Sequence, residues 1–384
     1  MKTKNVAVVI ASRANYGRCK SLLKAIDRNS KLSLTLIVCG SAILDKFGET
    51  SEVIKKDGFK INYECNFLLA GSDLKSQATT TGLAIIQLTE LFSSIQPNYV
   101  VTIADRYETL ATAIAASYQN IPLIHLQGGD ISGNIDDKVR HAITRLSDYH
   151  FPASEKSYHT LIKMGESKKR IWMYGCPSMD LLKETISFEE LKNMVKVLKN
   201  FKKKNFFLIL LHPVTDKPDE SLTILDTLIE SLEQFKDKKI VVISPNVDAG
   251  SEKIRISHEK LKTIMGKNLV SIENLPPTHF LALIKNSQIC LGNSSSFLRE
   301  AGLCGVPALI LGTRQKGREM AQNCIVLESP SKETIVEQIR SLLQIKSYPS
   351  DKRFGDGISG EKIAAQICSL PIAYSNKEKL FFSD

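Results

Sequence analysis

The feature that most constrains the fold of this chain is a repeated alternation of short β-branched runs with longer amphipathic segments. In the first half, runs such as Val6–Ala11 and Tyr99–Ile103 predict buried strands, and segments such as Thr80–Ile95 predict helices. The second half repeats this order, with predicted strands at Phe206–Leu211 and Pro307–Leu311. Strands that alternate with helices form parallel sheets covered on both faces. The sequence therefore predicts an α/β protein in which one architecture is used twice.

The length of the chain supports two domains rather than one. With 384 residues, it exceeds the size at which a single hydrophobic core keeps growing. The polar, lysine-rich stretch at 180–204 is the expected joint. We predict one domain over 1–180, a second over 181–365 and a C-terminal tail over 366–384, with a late helix at Glu361–Leu370.

Polar side chains follow the predicted strands at the points where the strands end. In open parallel sheets, ligands bind beyond the carboxyl ends of the strands. The residues at these points are Arg13, Asp105, Arg106, Gln127, His212, Asn246, Ser294, Ser295 and Arg314. This pattern indicates an enzyme or a binding protein with a cleft, but it names no substrate.

Composition and charge exclude several other classes. The net charge is +10, but basic runs such as 202–204 and 168–170 lack interleaved aromatic residues, which argues against nucleic-acid binding and fits a small polyanionic substrate. No window approaches the roughly 18 apolar residues of a membrane span, and Val6–Ala11 is too short for a signal peptide. Eight scattered cysteines without a C-x-x-C pair indicate free thiols in a reducing cytoplasm.

Two segments of the second half suit an anion. Gly292–Ser296 joins a strand to a helix, where backbone N–H groups and hydroxyls could bind phosphate, although serine is also an ordinary helix cap. The segment 312–318 follows the next strand and carries three cations, Arg314, Lys316 and Arg318. Because two adjacent strand ends supply hydroxyls and cations, we predict a diphosphate site there.

The first half carries the carboxylates. Asp105 precedes Arg106 at a strand end, which could be a structural ion pair, and Asp136 and Asp137 follow the Gly128-Gly129 turn. Carboxylates crowded in a cleft suit proton abstraction, although a surface acidic loop is the alternative. His212, before Pro213, is expected to contact substrate, whereas His125 is expected in the core. No His, Cys, Asp and Glu set has metal-ligand spacing.

Taken together, nine segments in order resemble the hydrolysing UDP-N-acetylglucosamine 2-epimerases of sialic acid biosynthesis, including the epimerase half of the bifunctional animal enzyme. The segments are SRANYG (12–17), DRYE (105–108), HLQGGDISGNIDDKVRHAIT (125–144), GCPSMD (175–180), HPVTD (212–216), SPNVDAGS (244–251), GNSSSFLRE (292–300), GTRQKGRE (312–319) and FGDG (354–357). The match runs through nearly the whole chain.

The resemblance implies a glycosyltransferase-B type fold, in which two Rossmann-like domains face each other across a cleft that holds a UDP-sugar. It implies removal of the C2 proton, anti-elimination of UDP and addition of water to a 2-acetamidoglucal, which yields N-acetylmannosamine. No cofactor, nucleic acid or membrane is involved, and we expect a cytoplasmic homodimer or homotetramer. The predicted catalytic residues are Asp105, Gln127, Asp136, Asp137 and His212. The predicted substrate contacts are Arg13, Asn15, Arg106, Asn246, Ser294, Ser295, Glu300, Arg314 and Arg318.

The sequence departs from the family pattern at several first-domain positions. Asn15 replaces a carboxylate, Ala104 a glycine, Asp130 a glutamate and Ala42 a histidine of the animal enzyme. Gln127 stands where the family pattern has glutamate, and an amide cannot accept a proton at neutral pH. A different sugar, UDP- or GDP-linked N,N′-diacetylbacillosamine of legionaminic acid synthesis, is one explanation.

Three further functions remain open. A non-hydrolysing epimerase would interconvert UDP-GlcNAc and UDP-ManNAc without releasing UDP, although the GTRQ and IDDKVRHAIT segments resemble the hydrolysing branch more closely. A glycosyltransferase of the same fold would need an acceptor. A catalytically impaired UDP-sugar binding protein would account for Asn15, Ala42 and Gln127.

Overall fold

The chain forms two α/β domains in a computed structural model that describes residues 3–44, 50–69, 73–132, 135–214, 218–245 and 251–371. The first domain contains the described residues up to 131, from 135 to 181 and from 353 onward. The second domain contains Ser132 and the described residues from 182 to 352. The predicted fold class, α/β with two Rossmann-like domains, is confirmed.

The first domain is built on a six-stranded parallel sheet. Its strands are β1 (Lys4–Ile10), β2 (Leu32–Cys39), β3 (Tyr63–Cys65), β4 (Tyr99–Ile103), β5 (Leu123–Leu126) and β6 (Tyr149–Phe151). Their order across the sheet is β3-β2-β1-β4-β5-β6, which is the Rossmann order. The strand order therefore reverses between β1 and β4.

Helices cover both faces of this sheet. They are α1 (Arg13–Asp27), α2 (Thr50–Lys56), α3 (Leu74–Ile95), α4 (Tyr107–Tyr118), α5 (Ile135–Leu146) and α6 (Glu155–Lys163). Alternate side chains of a strand face opposite sides of a sheet. Val6 and Val8 accordingly pack in one core with α1, and Ala7 and Val9 pack in the other with α3 and α4. Because both faces are buried, β1 is apolar along nearly its whole length, as the sequence analysis assumed.

The second domain repeats the same topology. Its strands are β7 (Phe206–Leu210), β8 (Lys239–Ile243), β9 (Leu269–Ile272), β10 (Ile289–Gly292), β11 (Ala308–Leu311) and β12 (Cys324–Leu327), in the order β12-β11-β10-β7-β8-β9. Its helices are α7 (Phe188–Met194), α8 (Pro218–Leu232), α9 (Ser251–Met265), α10 (Pro277–Asn286), α11 (Ser295–Leu298), α12 (Glu300–Leu303) and α13 (Lys332–Leu343). Here the strand order reverses between β7 and β10.

Short 3₁₀ helices complete the described secondary structure. They lie at Gly40–Ile43, Lys168–Arg170, Pro177–Glu184, Lys196–Leu198, Glu233–Phe235 and Gly266–Asn268. All eight cysteines are free thiols, buried or partly buried, as the sequence indicates. Among the described residues, no helix is both long and apolar enough to span a membrane.

The last helix corrects the predicted domain boundaries. A second domain that ends at 365, followed by a tail over 366–384, is predicted from the sequence, but α14 (Ser359–Ser369) packs on α1 of the first domain. The contact is close, since a Cβ on Gly360 would lie 2.7 Å from the backbone nitrogen of Leu22. The prediction was wrong here because an amphipathic pattern identifies a buried face but not the sheet that covers it.

Asp180 links α14 to α1 of the first domain through hydrogen bonds. Its carboxylate accepts hydrogen bonds from the backbone nitrogens of Ser359 (2.9 Å) and Gly360 (2.7 Å) at the start of α14. The carboxylate also accepts a hydrogen bond from the Ser21 hydroxyl of α1 at 2.8 Å. Just before Asp180, the backbone nitrogen of Cys176 donates to the carbonyl of Phe354. The GCPSMD and FGDG segments therefore meet in a structural junction of the first domain.

Candidate active site

An asparagine side chain bridges the two central strands of the first sheet where the strand order reverses. Asn15 is almost completely buried; its oxygen accepts from the backbone nitrogen of Ala11 and its amide donates to the carbonyl of Ile103, both at 3.3 Å. A carboxylate at this position could not donate to that carbonyl. The Asn15 side chain therefore links the two strands, and its predicted contact with substrate stays a prediction. Arg13, the first residue of α1, lies partly buried beside it.

The carboxyl end of β4 turns sharply to present Asp105. Ala104 has a left-handed backbone with φ 65°, a conformation that costs a residue with a Cβ about 1 kcal/mol relative to glycine. The guanidinium of Arg106 donates to both oxygens of buried Glu108 at 3.0 Å. Arg106 therefore forms a bidentate pair with Glu108, and its predicted contact with substrate stays a prediction.

The end of β5 has a second left-handed residue, Gln127, with φ 62°. Its side chain is 2% exposed, and its amide nitrogen lies 2.9 Å from the thiol sulfur of Cys176. In the following turn, a Cβ on Gly129 would lie 2.2 Å from the carbonyl oxygen of Ser157, so only glycine fits there. The turn thus holds Gln127 in one orientation at the strand end.

His125 belongs to the core, as predicted. Its Nε2 lies 2.9 Å from the carbonyl oxygen of Ala104, and its Nδ1 lies 3.2 Å from the Thr144 hydroxyl. Burial lowers the pKa of His125 to about 3, so the ring is neutral at physiological pH. Neutral imidazole has one donor and one acceptor, and both are used here to hold the ends of β4 and β5 against α5.

Arg140 of α5 is the centre of the first-domain site, and the sequence analysis assigned it no role. Its side chain has no exposed surface. Its guanidinium donates to one carboxylate oxygen of Asp105 through Nε, at 3.1 Å, and through Nη2. Its Nη1 donates to the backbone carbonyl of Asp130 at 2.7 Å and to the carboxylate of Asp137. Burial alone would lower the pKa of Arg140, but the three aspartates outweigh burial and raise it. One permanent charge therefore joins the end of β4 to the first turn of α5.

The two neighbouring aspartates at the start of α5 have different surroundings. Asp137 is ion-paired with Arg140 at 2.5 Å and its side chain is 17% exposed. Asp136 lies partly buried in the same first turn. Asp130, in the turn after β5, accepts a hydrogen bond from the Ser157 hydroxyl. Of the carboxylates that the sequence analysis singled out as catalytic, the structure brings Asp105 and Asp137 together on one cation.

The second sheet has an equivalent asparagine bridge where its strand order reverses. Asn293 follows β10; its side-chain oxygen accepts from the backbone nitrogen of His212 at 2.7 Å, and its amide donates to the His212 carbonyl at 2.8 Å. His212, which follows β7, is 6% exposed. The side chain of Asn293 thereby fixes the backbone that carries the imidazole. Asn246, the predicted contact after β8, lies outside the described residues.

The serine-rich turn after β10 is shaped by small residues. A Cβ on Gly292 would lie 2.2 Å from the carbonyl oxygen of Leu210, so the chain can approach β7 only with glycine there. Ser294 caps α11 by accepting from the backbone nitrogen of Ser296, and the Ser295 hydroxyl accepts from Arg299 at 3.0 Å. The helix predicted after this turn is divided, because Arg299 separates two four-residue helices. So short a helix supplies little dipole, so the predicted binding of an anion here would depend on side chains.

The loop after β11 approaches the same serine-rich turn. Arg314 donates to the carbonyl of Asn293 at 3.2 Å, and buried Gln315 donates to the same carbonyl at 2.7 Å. Arg318 is partly buried in this loop, and Glu300 of α12 is 9% exposed. The structure therefore brings the Ser294-Ser295 turn and Arg314 to one edge of the second sheet. Asn293 and Gln315, which sequence reasoning left unassigned, hold them there.

Chemically, the two domains offer different groups. The first presents carboxylates whose charge Arg140 favours, which suits removal of a weakly acidic proton. The second presents hydroxyls, an imidazole and arginines at one sheet edge, which suits a phosphate-bearing ligand. Among the described residues, no three metal-binding side chains of His, Cys, Asp or Glu type come together.

The fold and these strand-end sites define an α/β protein of the glycosyltransferase-B type with two Rossmann-like domains. The solved structure of the UDP-GlcNAc 2-epimerase of Methanocaldococcus jannaschii, in complex with UDP-GlcNAc and UDP, matches it with a TM-score of 0.78. That match covers 94% of this chain and 99% of the other at 19% identity, so it establishes the fold.

Sequence comparison identifies the family. Residues 24–368 match the family of UDP-N-acetylglucosamine 2-epimerases, and the chain belongs to that family. It is 31% identical to the hydrolysing UDP-N,N′-diacetylbacillosamine 2-epimerase of Legionella pneumophila, over 96% of this chain and 97% of that protein. It is 29% identical to the UDP-N-acetylglucosamine 2-epimerase of Neisseria meningitidis serogroup B, over 99% of each chain.

Proposed function

We propose that the chain is a hydrolysing 2-epimerase that converts UDP-N-acetylglucosamine and water to N-acetylmannosamine and UDP, for synthesis of a sialic acid-type sugar. The observation that carries this proposal is the pair Asp105 and Asp137, held on the buried guanidinium of Arg140 within a chain of this family. A guanidinium favours the ionised form of nearby carboxylates, and an ionised carboxylate is what removal of a C2 proton requires.

In the proposed reaction, a carboxylate of this pair takes the proton from C2 of the sugar. The electron pair left at C2 forms the C1–C2 double bond as the C1–O bond breaks, and UDP departs with the electrons of that bond. The carboxyl releases its proton to solvent, and water then adds across the resulting 2-acetamidoglucal, with a proton at C2 on the opposite face and hydroxide at C1. The product is free N-acetylmannosamine, and the sum of the steps is one hydrolysis with inversion at C2.

We assign the nucleotide to the second domain. The hydroxyls of Ser294 and Ser295 and the guanidinium of Arg314 suit a diphosphate, and His212, held by Asn293, would be positioned beside them. The M. jannaschii epimerase of the same fold was solved with UDP-GlcNAc and UDP bound, which supports a UDP-sugar here. Such an enzyme would act in the cytoplasm, and we expect it to form a homodimer or homotetramer.

The hydrolysing reaction is preferred to the non-hydrolysing one on two grounds. The GTRQ loop and the IDDKVRHAIT segment, which carries Asp137 and Arg140, resemble the hydrolysing branch more closely. The Legionella relative, which aligns over nearly the whole chain, is named as a hydrolysing enzyme.

A second substrate, UDP-N,N′-diacetylbacillosamine, is supported by one feature of the first-domain site. Gln127 places a neutral carboxamide at the end of β5, where the family pattern has a carboxylate, and a carboxamide can both donate to and accept from an additional acetamido group. The Legionella relative is named for that sugar.

The deciding experiment incubates the purified protein with each UDP-sugar and follows UDP and free sugar separately. Equal release of UDP and a free 2-epimerised sugar is expected from one of the two substrates. Interconversion of UDP-GlcNAc with UDP-ManNAc without UDP release would assign a non-hydrolysing epimerase. Tight binding of UDP without turnover of either sugar would assign an impaired binding protein.

A further inference from the structure

We infer that Arg140 is a positioning residue that keeps Asp105 and Asp137 ionised at neutral pH and thereby sets the acidic limit of catalysis. This inference rests on the proposed function, because it concerns the carboxylates to which that function assigns proton abstraction. The Arg140 side chain has no exposed surface, which is unusual because arginine is rarely buried unless it is paired.

The partners of Arg140 come from three separate parts of the first domain. Asp105 follows β4 and accepts hydrogen bonds from two N–H groups of Arg140. Asp137 lies one helical turn before Arg140 on α5, and the Asp130 carbonyl belongs to the turn after β5. A planar guanidinium has several donors fixed in direction, so it can join three acceptors at once, whereas an ammonium group is a point charge. The geometry is therefore specific to arginine.

The two carboxylates are poorly placed to be ionised without this cation. The side chains of Asp105 and Asp137 are only 12% and 17% exposed, and both lie against the same guanidinium. Partial burial and mutual repulsion each disfavour ionised carboxylates, so removal of the shared cation would favour protonation of at least one of them. A protonated carboxyl cannot accept the C2 proton, and turnover would then need a higher pH.

The two histidines near Arg140 do not supply a second positive charge. Burial is the main cause that lowers the pKa of His125 and of His141, and Arg140 lowers both further, so both rings are neutral at physiological pH. From α4, Glu108 binds Arg106 in a separate bidentate pair. Among the described residues, the ionisable groups that face Arg140 include Asp105, Asp130, Asp137, His125 and His141.

The test compares Arg140→Gln and Arg140→Lys with a matched control, Arg145→Gln. Arg145 lies on the same helix and is paired with Glu166 at 2.6 Å, so its variant also loses an ion pair of α5, away from the carboxylates. We expect the acidic limb of the kcat–pH profile to move up by about one to two pH units in Arg140→Gln. In Arg145→Gln, the acidic limb should stay at the wild-type pH within experimental error. Arg140→Lys should keep the limb near its original place while kcat falls about tenfold.

A folded Arg140→Gln variant, judged by unchanged UDP affinity, with an unshifted acidic limb would overturn the inference. If that variant does not fold, Arg140→Lys decides, because an acidic limb that moves up by about one to two pH units although the positive charge is kept would contradict the inference.

A second measurement separates this inference from the proposed function. The deficit in unfolding free energy of Arg140→Gln should be largest near neutral pH and shrink as pH falls below about 4, where carboxyls protonate in both states. This result is expected even if the wild type turns over no UDP-sugar. Absence of turnover would contradict the proposed function but not the role of Arg140. A deficit independent of pH would mean that Arg140 stabilises the fold by packing and not by its charge.

Discussion

Restoring the family's carboxylate by Gln127→Glu is expected to harm this protein, not to improve it. The Gln127 side chain is 2% exposed, and its amide donates to the Cys176 sulfur at 2.9 Å, so a carboxylate would lose a donor and enter a site that excludes water. It would also join the aspartates that already follow the neighbouring strand and turn. Turnover should therefore stay the same or fall, because the added charge crowds Asp105.

The size of the effect on stability can be worked from these contacts. Loss of one hydrogen bond costs about 1 kcal/mol. If burial raises the pKa of the new carboxyl by about two units, its ionisation at pH 7 adds about 2.7 kcal/mol. The Cys176 thiol is a weak donor and would offset little of this. The variant should thus lose roughly 3–4 kcal/mol of unfolding free energy at neutral pH.

The direction of the pH dependence follows from proton binding. A carboxyl whose folded-state pKa is raised binds more protons when folded, so stability falls as pH rises. The charge part of the deficit should disappear as pH falls toward about 4, the unfolded-state value. Gln127→Met is the matched control, since it loses the donor without adding charge and should show a small deficit that does not change with pH.

Urea unfolding at several pH values measures the deficit, and UDP release from each UDP-sugar measures turnover. The reasoning is refuted if Gln127→Glu is as stable as wild type at neutral pH and releases UDP markedly faster. That outcome would mean that the wild type is an impaired relative, and that the base it lacks is a carboxylate at position 127.

The remaining predictions concern the two strand-end sites and the returning helix. Asp105→Asn should keep UDP affinity while kcat falls on the order of 10²-fold, the scale of a lost proton-transfer group; full turnover would exclude Asp105 from the chemistry. Ser295→Ala should weaken UDP binding by roughly 1 kcal/mol and Arg314→Ala by somewhat more, and unchanged calorimetric affinity in both would contradict the nucleotide site. Asp180→Ala should cost about 3 kcal/mol of unfolding free energy, because it removes the cap at Ser359 and Gly360; a loss below the error of urea unfolding would contradict that role.

The architecture was largely predictable from sequence because buried parallel strands leave a strong signal. A continuous apolar run bounded by polar residues predicted the strand Tyr99–Ile103 with the bounds that the structure has. The rule that ligands bind at carboxyl ends of strands then placed Asp105 and Gln127 at one edge of the first sheet. Short edge strands such as β3 and β6, with three residues each, were too brief to produce a periodic signal.

The side-chain pairing within the site was not predictable in the same way. Asp105 and Arg106 are adjacent in sequence, yet the left-handed turn at Ala104 directs them to different partners, Arg140 and Glu108. Such pairing depends on backbone direction after the strand, which composition and periodicity do not encode. The spacing of Asp137 and Arg140, three residues apart on a helix, was the one available signal for the network.

The missing carboxylate at position 15 also needed the structure for its explanation. From sequence, Asn15 was a departure that suggested impaired activity. In the structure, its amide donates to one strand and its oxygen accepts from the other, which only a side chain with both functions can do. The departure is therefore compatible with an intact site.

Elimination of UDP after loss of the C2 proton can be tested by turnover in deuterium oxide. After the active UDP-sugar has been established, the free sugar is isolated and analysed by NMR and mass spectrometry. One UDP released per sugar and solvent deuterium at C2 of the 2-epimerised product are expected, because the proton added to the glycal comes from solvent. A 2-epimerised product that retains hydrogen at C2 would contradict the mechanism, whichever of the two sugars is the substrate.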